Sequence, residues 1–216
     1  MKLRIALAQV NPTVGDLAAN AALVRENFKA AQEAGAHIVV FPEMVLTGYP
    51  VEDLALRPSF QIASQNALAE LAKSLTGKSV AIVGYLDQVD GAPQNMVAVI
   101  SDGVVSARYA KCHLPNYGVF DEFRNFVPGD KTLVVRIHGV DVGIAICEDL
   151  WIDGGITSQL AARKPGLVIV PNGSPYERNK DDVRLALVSK RARQASAPLV
   201  YVNMTGGQDD LVFDGD

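Results

Sequence analysis

Apolar residues along this chain come in short continuous runs, separated by stretches with helical spacing. Residues 3–10 (LRIALAQV), 36–41 (AHIVVF) and 79–86 (SVAIVGYL) read as buried strands, because unbroken apolar runs of this length suit strands covered on both faces. Residues 18–34 predict a helix with Leu23, Ala30 and Ala31 near one face and Arg25, Glu26 and Lys29 at polar positions, closed by Gly35. Residues 59–75 predict a second helix. The middle of the chain predicts hairpins: NMVAVIS and VVSARYAK flank Asp102-Gly103, and TLVVRI and VDVGIAIC flank His138-Gly139. Helical and strand segments then alternate at 155–163, LVIVP, 180–196 and PLVYVNM. Outer β-α units around central hairpins imply an α/β fold with a mixed sheet or sheets covered by helices. The closing Leu211-Val212-Phe213-Asp214-Gly215-Asp216 reads as a strand and turn with nothing following, the pattern of a chain cut inside a domain.

Composition narrows the function classes. The 216 residues suit one domain, and 49% apolar with 20% charged residues is an ordinary globular balance. A net charge of −4 without a basic run argues against nucleic acid or an anionic membrane as partner. No apolar segment reaches the roughly 18 residues of a membrane span. The apolar start is interrupted by Gln9 and Asn11, which suits a first strand better than a secretion signal. Two cysteines and three scattered histidines make neither a zinc site nor a disulfide framework, and imply a reduced, cytoplasmic protein without a metal. The loop after the first strand, Gln9 to Gly15, lacks the glycine pattern of a dinucleotide or P-loop site.

Three reactive residues sit where apolar strands meet loops: Glu43 after HIVVF, Lys111 after VVSARYA, and Cys147 at the end of VGIAIC. A thiol becomes a good nucleophile only on losing its proton. A carboxylate can accept that proton and return it to a leaving amine, and an ammonium can hold the oxyanion of a tetrahedral intermediate. Taken singly, each has a blander reading: an inert small hydrophobe, a solvated carboxylate, a snorkelling lysine. Cys112, between Lys111 and His113, is the competing thiol; alternation along an extended chain turns it away from any site that Lys111 faces. By the same rule Glu148 would face away from Cys147 if the strand continues.

The segments around these residues carry a resemblance. Phe41-Pro42-Glu43, Tyr109-Ala110-Lys111-Cys112-His113-Leu114-Pro115 and Ile146-Cys147-Glu148-Asp149-Leu150-Trp151 resemble, in order, the three motifs of the nitrilase, or carbon–nitrogen hydrolase, superfamily. Leu46-Thr47-Gly48-Tyr49-Pro50, Leu114 to Glu122, Arg124 to Gly129, Asn172-Gly173-Ser174-Pro175-Tyr176, and Val202-Asn203 with Gly206-Gly207-Gln208-Asp209 are similar to the amidotransferase domains of glutamine-dependent NAD⁺ synthetases, over essentially the whole chain. The resemblance implies a four-layer α-β-β-α sandwich, here truncated at its C-terminal end. It implies attack of Cys147 on the side-chain amide of L-glutamine, with Glu43 as base then acid and Lys111 on the oxyanion. By motif position Tyr117, Ser174 and Lys180 would hold the glutamine, and Glu122 and Tyr49 would support the site. ATP and Mg²⁺ would serve only a synthetase domain that converts deamido-NAD to NAD⁺, and its Ser-Gly-Gly loop is not in this sequence, so the chain itself needs no cofactor. Homo-oligomers are also implied. The competing readings are a stand-alone amidase for another small amide, and a non-catalytic scaffold; a scaffold would be expected to have lost one of the three reactive residues.

Overall fold

The computed structural model describes residues 2–216. The first sheet is built from β1 (Ile5–Leu7), β2 (Ile38–Val40), β3 (Val80–Val89), β4 (Ala92–Ser101) and β5 (Val104–Ala110), in that spatial order. β1, β2 and β3 are parallel, and β3, β4 and β5 form antiparallel pairs. The second sheet orders β6 (Leu133–Ile137), β7 (Val140–Ile144), β8 (Leu167–Asn172) and β9 (Leu199–Asn203), with one antiparallel pair followed by two parallel ones.

Side-chain alternation explains why the strand runs are apolar throughout. Val39, Phe41, Ala81, Val83 and Tyr85 face α1 (Leu17–Glu33) and α2 (Pro58–Ser74), meeting Val24, Phe28, Leu68 and Leu71. Their neighbours Ile38, Val40, Val80 and Ile82 join Ile137, Val142, Ile144 and Ile169 of the second sheet in another core. The second sheet's outer face is covered by α4 (Ile156–Ala162) and α5 (Lys180–Ala195), through Leu160 and Ala195. The layers are therefore α-β-β-α, as the resemblance implied.

Three two-residue turns, Asp90-Gly91, Asp102-Gly103 and His138-Gly139, have positive φ at both positions, the geometry that matches strand twist in tight hairpins. The first of these departs from the sequence reading, which ended β3 at residue 86: polar Asp87 and Gln88 continue the ladder opposite Gln94 and Pro93. The opening strand is shorter than read and only half-buried, because β1 is a sheet edge. The final strand also differs from expectation. β11 (Leu211–Asp214) pairs backwards with β10 (Thr205–Gln208), so its partner lies upstream.

The carboxyl ends of β2, β5, β7, β8 and β9 converge at one end of the sandwich. There the backbone N–H of Glu43 donates to the carbonyl of Asn172 at 3.3 Å, joining the two sheets. Loops outside strand carboxyl ends are where α/β sheets place ligands.

Candidate active site

Glu43 leaves β2 through a tight turn that crosses β3 at Gly84. A Cβ on Gly84 would lie 2.2 Å from the Met44 nitrogen and 2.6 Å from the Pro42 oxygen. Only glycine allows that backbone crossing, so a glycine inside the apolar run SVAIVGYL was the sequence mark of a close approach. Gly84→Ala is expected to cost about 2–3 kcal/mol of stability through backbone displacement. Urea unfolding measures this, and a midpoint unchanged from the parent would contradict the crossing.

The side chains of Glu43, Lys111 and Cys147 are 0%, 1% and 5% exposed as residues. Lys111 Nζ donates to Glu43 Oε1 at 2.8 Å and to Glu122 Oε1 at 2.9 Å. Asn95 Nδ2 donates to Glu43 Oε1 at 2.7 Å, and the Gly173 backbone N–H donates to Oε2 at 2.8 Å. Glu122 opens α3 (Glu122–Asn125), and its Oε1 also accepts the Tyr49 hydroxyl at 2.8 Å. One buried ammonium thus sits between two carboxylates, each held by further donors, which is the condition for keeping charge inside a protein.

Burial alone would lower Lys111, but the carboxylates of Glu122 and Glu43 outweigh it and hold the ammonium charged well above its usual range. Burial lifts Glu122 to about 7 against the pull of Lys111. Burial also pushes the Cys147 thiol well above its usual range; Glu43 adds to this and Lys111 opposes it. Burial thus favours the neutral thiol at Cys147, and attack by its sulfur would require the proton to pass to a base.

Cys147 is not a strand residue. β7 ends at Ile144, and Cys147 has φ +41° at the head of a 3₁₀ turn, Cys147–Leu150. This sharp change of direction overturns the expectation for Glu148. In a turn, neighbours need not alternate, and Glu148 lines the same cavity as Cys147 while accepting the Tyr117 hydroxyl at 2.8 Å. Cys112 does turn away, into the edge of the inter-sheet core near the Tyr109 hydroxyl.

The cavity has a volume of about 300 Å³, with Cys147 in its lining. Tyr117, Ser174 and Lys180, the expected glutamine contacts, all line it, together with Glu148, Trp151 and Arg178. Lys180 opens α5 and pairs with Glu177 at the rim. Ser174 is fixed from behind: Arg184 donates to its hydroxyl and carbonyl at 3.2 Å each, and Asn203 Oδ1 accepts its backbone N–H at 2.9 Å. Sequence reading missed Asn95, Glu148 and Arg184. The polar residue opening NMVAVIS was a usable sign for Asn95, whereas the Gly173 N–H leaves no trace in residue type.

A family model described as carbon–nitrogen hydrolase matches residues 4–216. The chain belongs to the carbon–nitrogen hydrolase family. This carbon–nitrogen hydrolase is 45% identical to the glutamine-dependent NAD(+) synthetase of Xylella fastidiosa and 41% identical to that of Thermotoga maritima. Both matches cover 99% of this chain but only 39% and 37% of the relatives. The chain thus spans well under half the length of the curated relatives it matches. Among solved structures, a glutamine-dependent NAD⁺ synthetase from Acinetobacter baumannii superposes with a TM-score of 0.94 at 40% identity, over 99% of this chain and 40% of that one. A mutant of the amidase from Nesterenkonia sp. AN1 superposes at 0.85 with 25% identity, over 99% of this chain and 83% of that one, and carries the product of Michael addition of acrylamide at its active-site cysteine. Among the described residues, no helix is long and apolar enough to cross a membrane.

Proposed function

We propose that this carbon–nitrogen hydrolase cleaves the side-chain amide of L-glutamine to glutamate and ammonia, with residues 1–216 as a glutaminase domain. The observation that carries the reading is the charge pattern of the cavity: two carboxylates, Glu148 and Glu177, and two cations, Lys180 and Arg178, in a lining that also contains the buried thiol. That pattern suits an amide substrate whose far end is a zwitterion, with Glu148 toward the α-ammonium and Lys180 toward the α-carboxylate. Glu177, the exposed partner in the Lys180–Glu177 pair at the rim, can give way to a substrate carboxylate. Tyr117 and Ser174 offer hydroxyls to the substrate's polar groups.

In the first half-reaction the thiol proton passes to Glu43 as sulfur bonds to the amide carbon. The carbonyl electrons move onto oxygen, beside the Lys111 ammonium. As the carbonyl re-forms, the C–N bond breaks, Glu43 returns its proton to the amine, and ammonia leaves a thioester. In the second, Glu43 takes a proton from water, the resulting hydroxyl bonds to the acyl carbon, and the C–S bond breaks. Glu43 gives its proton back to sulfur, so glutamate and the thiol are restored. Glu122 and Tyr49 support this by fixing the ammonium.

The names of the relatives support a further step. In the longer protein the ammonia would serve ATP-dependent amidation of deamido-NAD to NAD⁺ by a synthetase domain in the same polypeptide, which would hold the ATP and Mg²⁺. A reduced cytoplasmic setting suits the two free thiols, and homo-oligomers accord with the family resemblance.

Lys180→Ala is expected to raise KM for glutamine about 10- to 100-fold, the value of one charge-assisted hydrogen bond, with kcat little changed. Ammonia release, measured for glutamine beside propionamide and γ-aminobutyramide, tests the reading. Strong preference for glutamine, lost in Lys180→Ala, is expected. Equal turnover of the simple amides would instead indicate an amidase of wider range, the other kind of structure this fold matches.

A further inference from the structure

Asp149 is fully buried, and among the described residues no cation is paired with it. Its charge is met by four donors from two chain segments. Oδ1 accepts the backbone N–H groups of Cys112 at 3.2 Å and His113 at 2.9 Å. Oδ2 accepts the Tyr109 hydroxyl at 2.7 Å and the Ile146 backbone N–H at 2.9 Å. Tyr109, Cys112 and His113 flank Lys111 at the end of β5; Ile146 immediately precedes Cys147 after β7. These strand ends belong to different sheets.

We propose that Asp149 is a positioning residue that clamps the Lys111 strand end to the Cys147 turn, setting the spacing between ammonium and thiol. The inference rests on the Glu43–Lys111–Cys147 reading. It assigns Asp149 no contact with substrate. A carboxylate is the one side chain of this size that accepts four hydrogen bonds while donating none. Asparagine at the same place would turn an NH₂ group toward two donors, releasing one of the two segments. A misplacement of this kind, small in distance, is costly in rate because the reacting groups are held at near-contact.

The direction of the thiol's titration separates this role from two simpler ones. Removing a nearby negative charge can only make Cys147 easier to ionise. A loss of fold stability alone leaves the titration of the folded molecules unchanged. Loosening the ammonium from the thiol does the reverse of the first: Lys111 opposes the rise in the thiol pKa, so its retreat makes Cys147 harder to ionise.

The test is the pH dependence of Cys147 alkylation by iodoacetamide, resolved by peptide mass mapping and compared among the parent chain, Asp149→Asn and Tyr109→Phe. Asp149→Asn is expected to slow alkylation at neutral pH at least about tenfold and to move the profile to higher pH. Tyr109→Phe, which removes one donor and keeps the ring in the core, is expected to move it the same way by less. An unmoved or lowered profile in folded Asp149→Asn would overturn the clamp. If that variant does not fold, an unmoved profile in Tyr109→Phe would overturn it. A parent chain whose Cys147 shows no titrating reactivity would instead refute the underlying trio, a failure visible without either variant.

Discussion

Cys147→Ala is expected to reduce glutamine hydrolysis by about 10⁵-fold or more, because the remaining groups have no atom to form the acyl intermediate. The fold should tolerate the change. The resting side chain is a neutral thiol, so the charges of Glu43, Lys111 and Glu122 keep their partners, and only one buried sulfur is lost. Cys112→Ala is the matched control. Its thiol is half-buried at the core edge, burial pushes it up to about 11, and the hydrogen-bond partners of its sulfur are the Tyr109 hydroxyl and main-chain carbonyls. Glutamate release should stay within about threefold of the parent, as expected for a thiol outside the catalytic unit. Substantial activity in Cys147→Ala, or its loss in Cys112→Ala, would move the nucleophile to another residue.

Lys111→Met has the second large effect, and it acts on rate and stability together. Without the ammonium the oxyanion loses its donor, and hydrolysis should fall at least about 10³-fold. The same change leaves the carboxylates of Glu43 and Glu122 buried without their cation, a loss of about 3–5 kcal/mol. This deficit has a pH sign. In the parent, Glu122 is already lifted from 4.5 to about 7, and losing Lys111 lifts it further. The folded variant then holds a proton that the unfolded chain has released, so its stability declines as pH rises from about 4.5 through 7 and beyond. Chemical unfolding in mildly acidic and mildly alkaline buffer is expected to show a smaller deficit in acid. Adding Glu122→Gln should restore part of the alkaline loss without restoring activity. A Lys111→Met chain equally stable at both pH values would contradict the buried triad of charges.

The layered fold was legible because strands covered on both faces must be apolar throughout, as Ile38–Val40 and residues 167–171 show. Strand length was less legible: Asp87 and Gln88 extend β3 through backbone pairing that their side chains do not advertise, although Asp90-Gly91 marked the turn. Glu43, Lys111 and Cys147 were legible through their motifs, and the structure brings them to one place. Glu148 was misread because it depends on the positive φ of Cys147, a backbone property that alternation cannot foresee. Asp149 and Gly173 act through main-chain hydrogen bonds between distant segments, so their local sequence carries little sign of their contacts.

The most direct test is covalent labelling of the chain by a glutamine-shaped diazoketone, read by intact mass and peptide mapping with and without excess L-glutamine. The account requires one adduct, on Cys147, suppressed by glutamine and absent in Cys147→Ala. A cooperatively folded chain that takes no adduct at Cys147, or takes one at Cys112 instead, would contradict it.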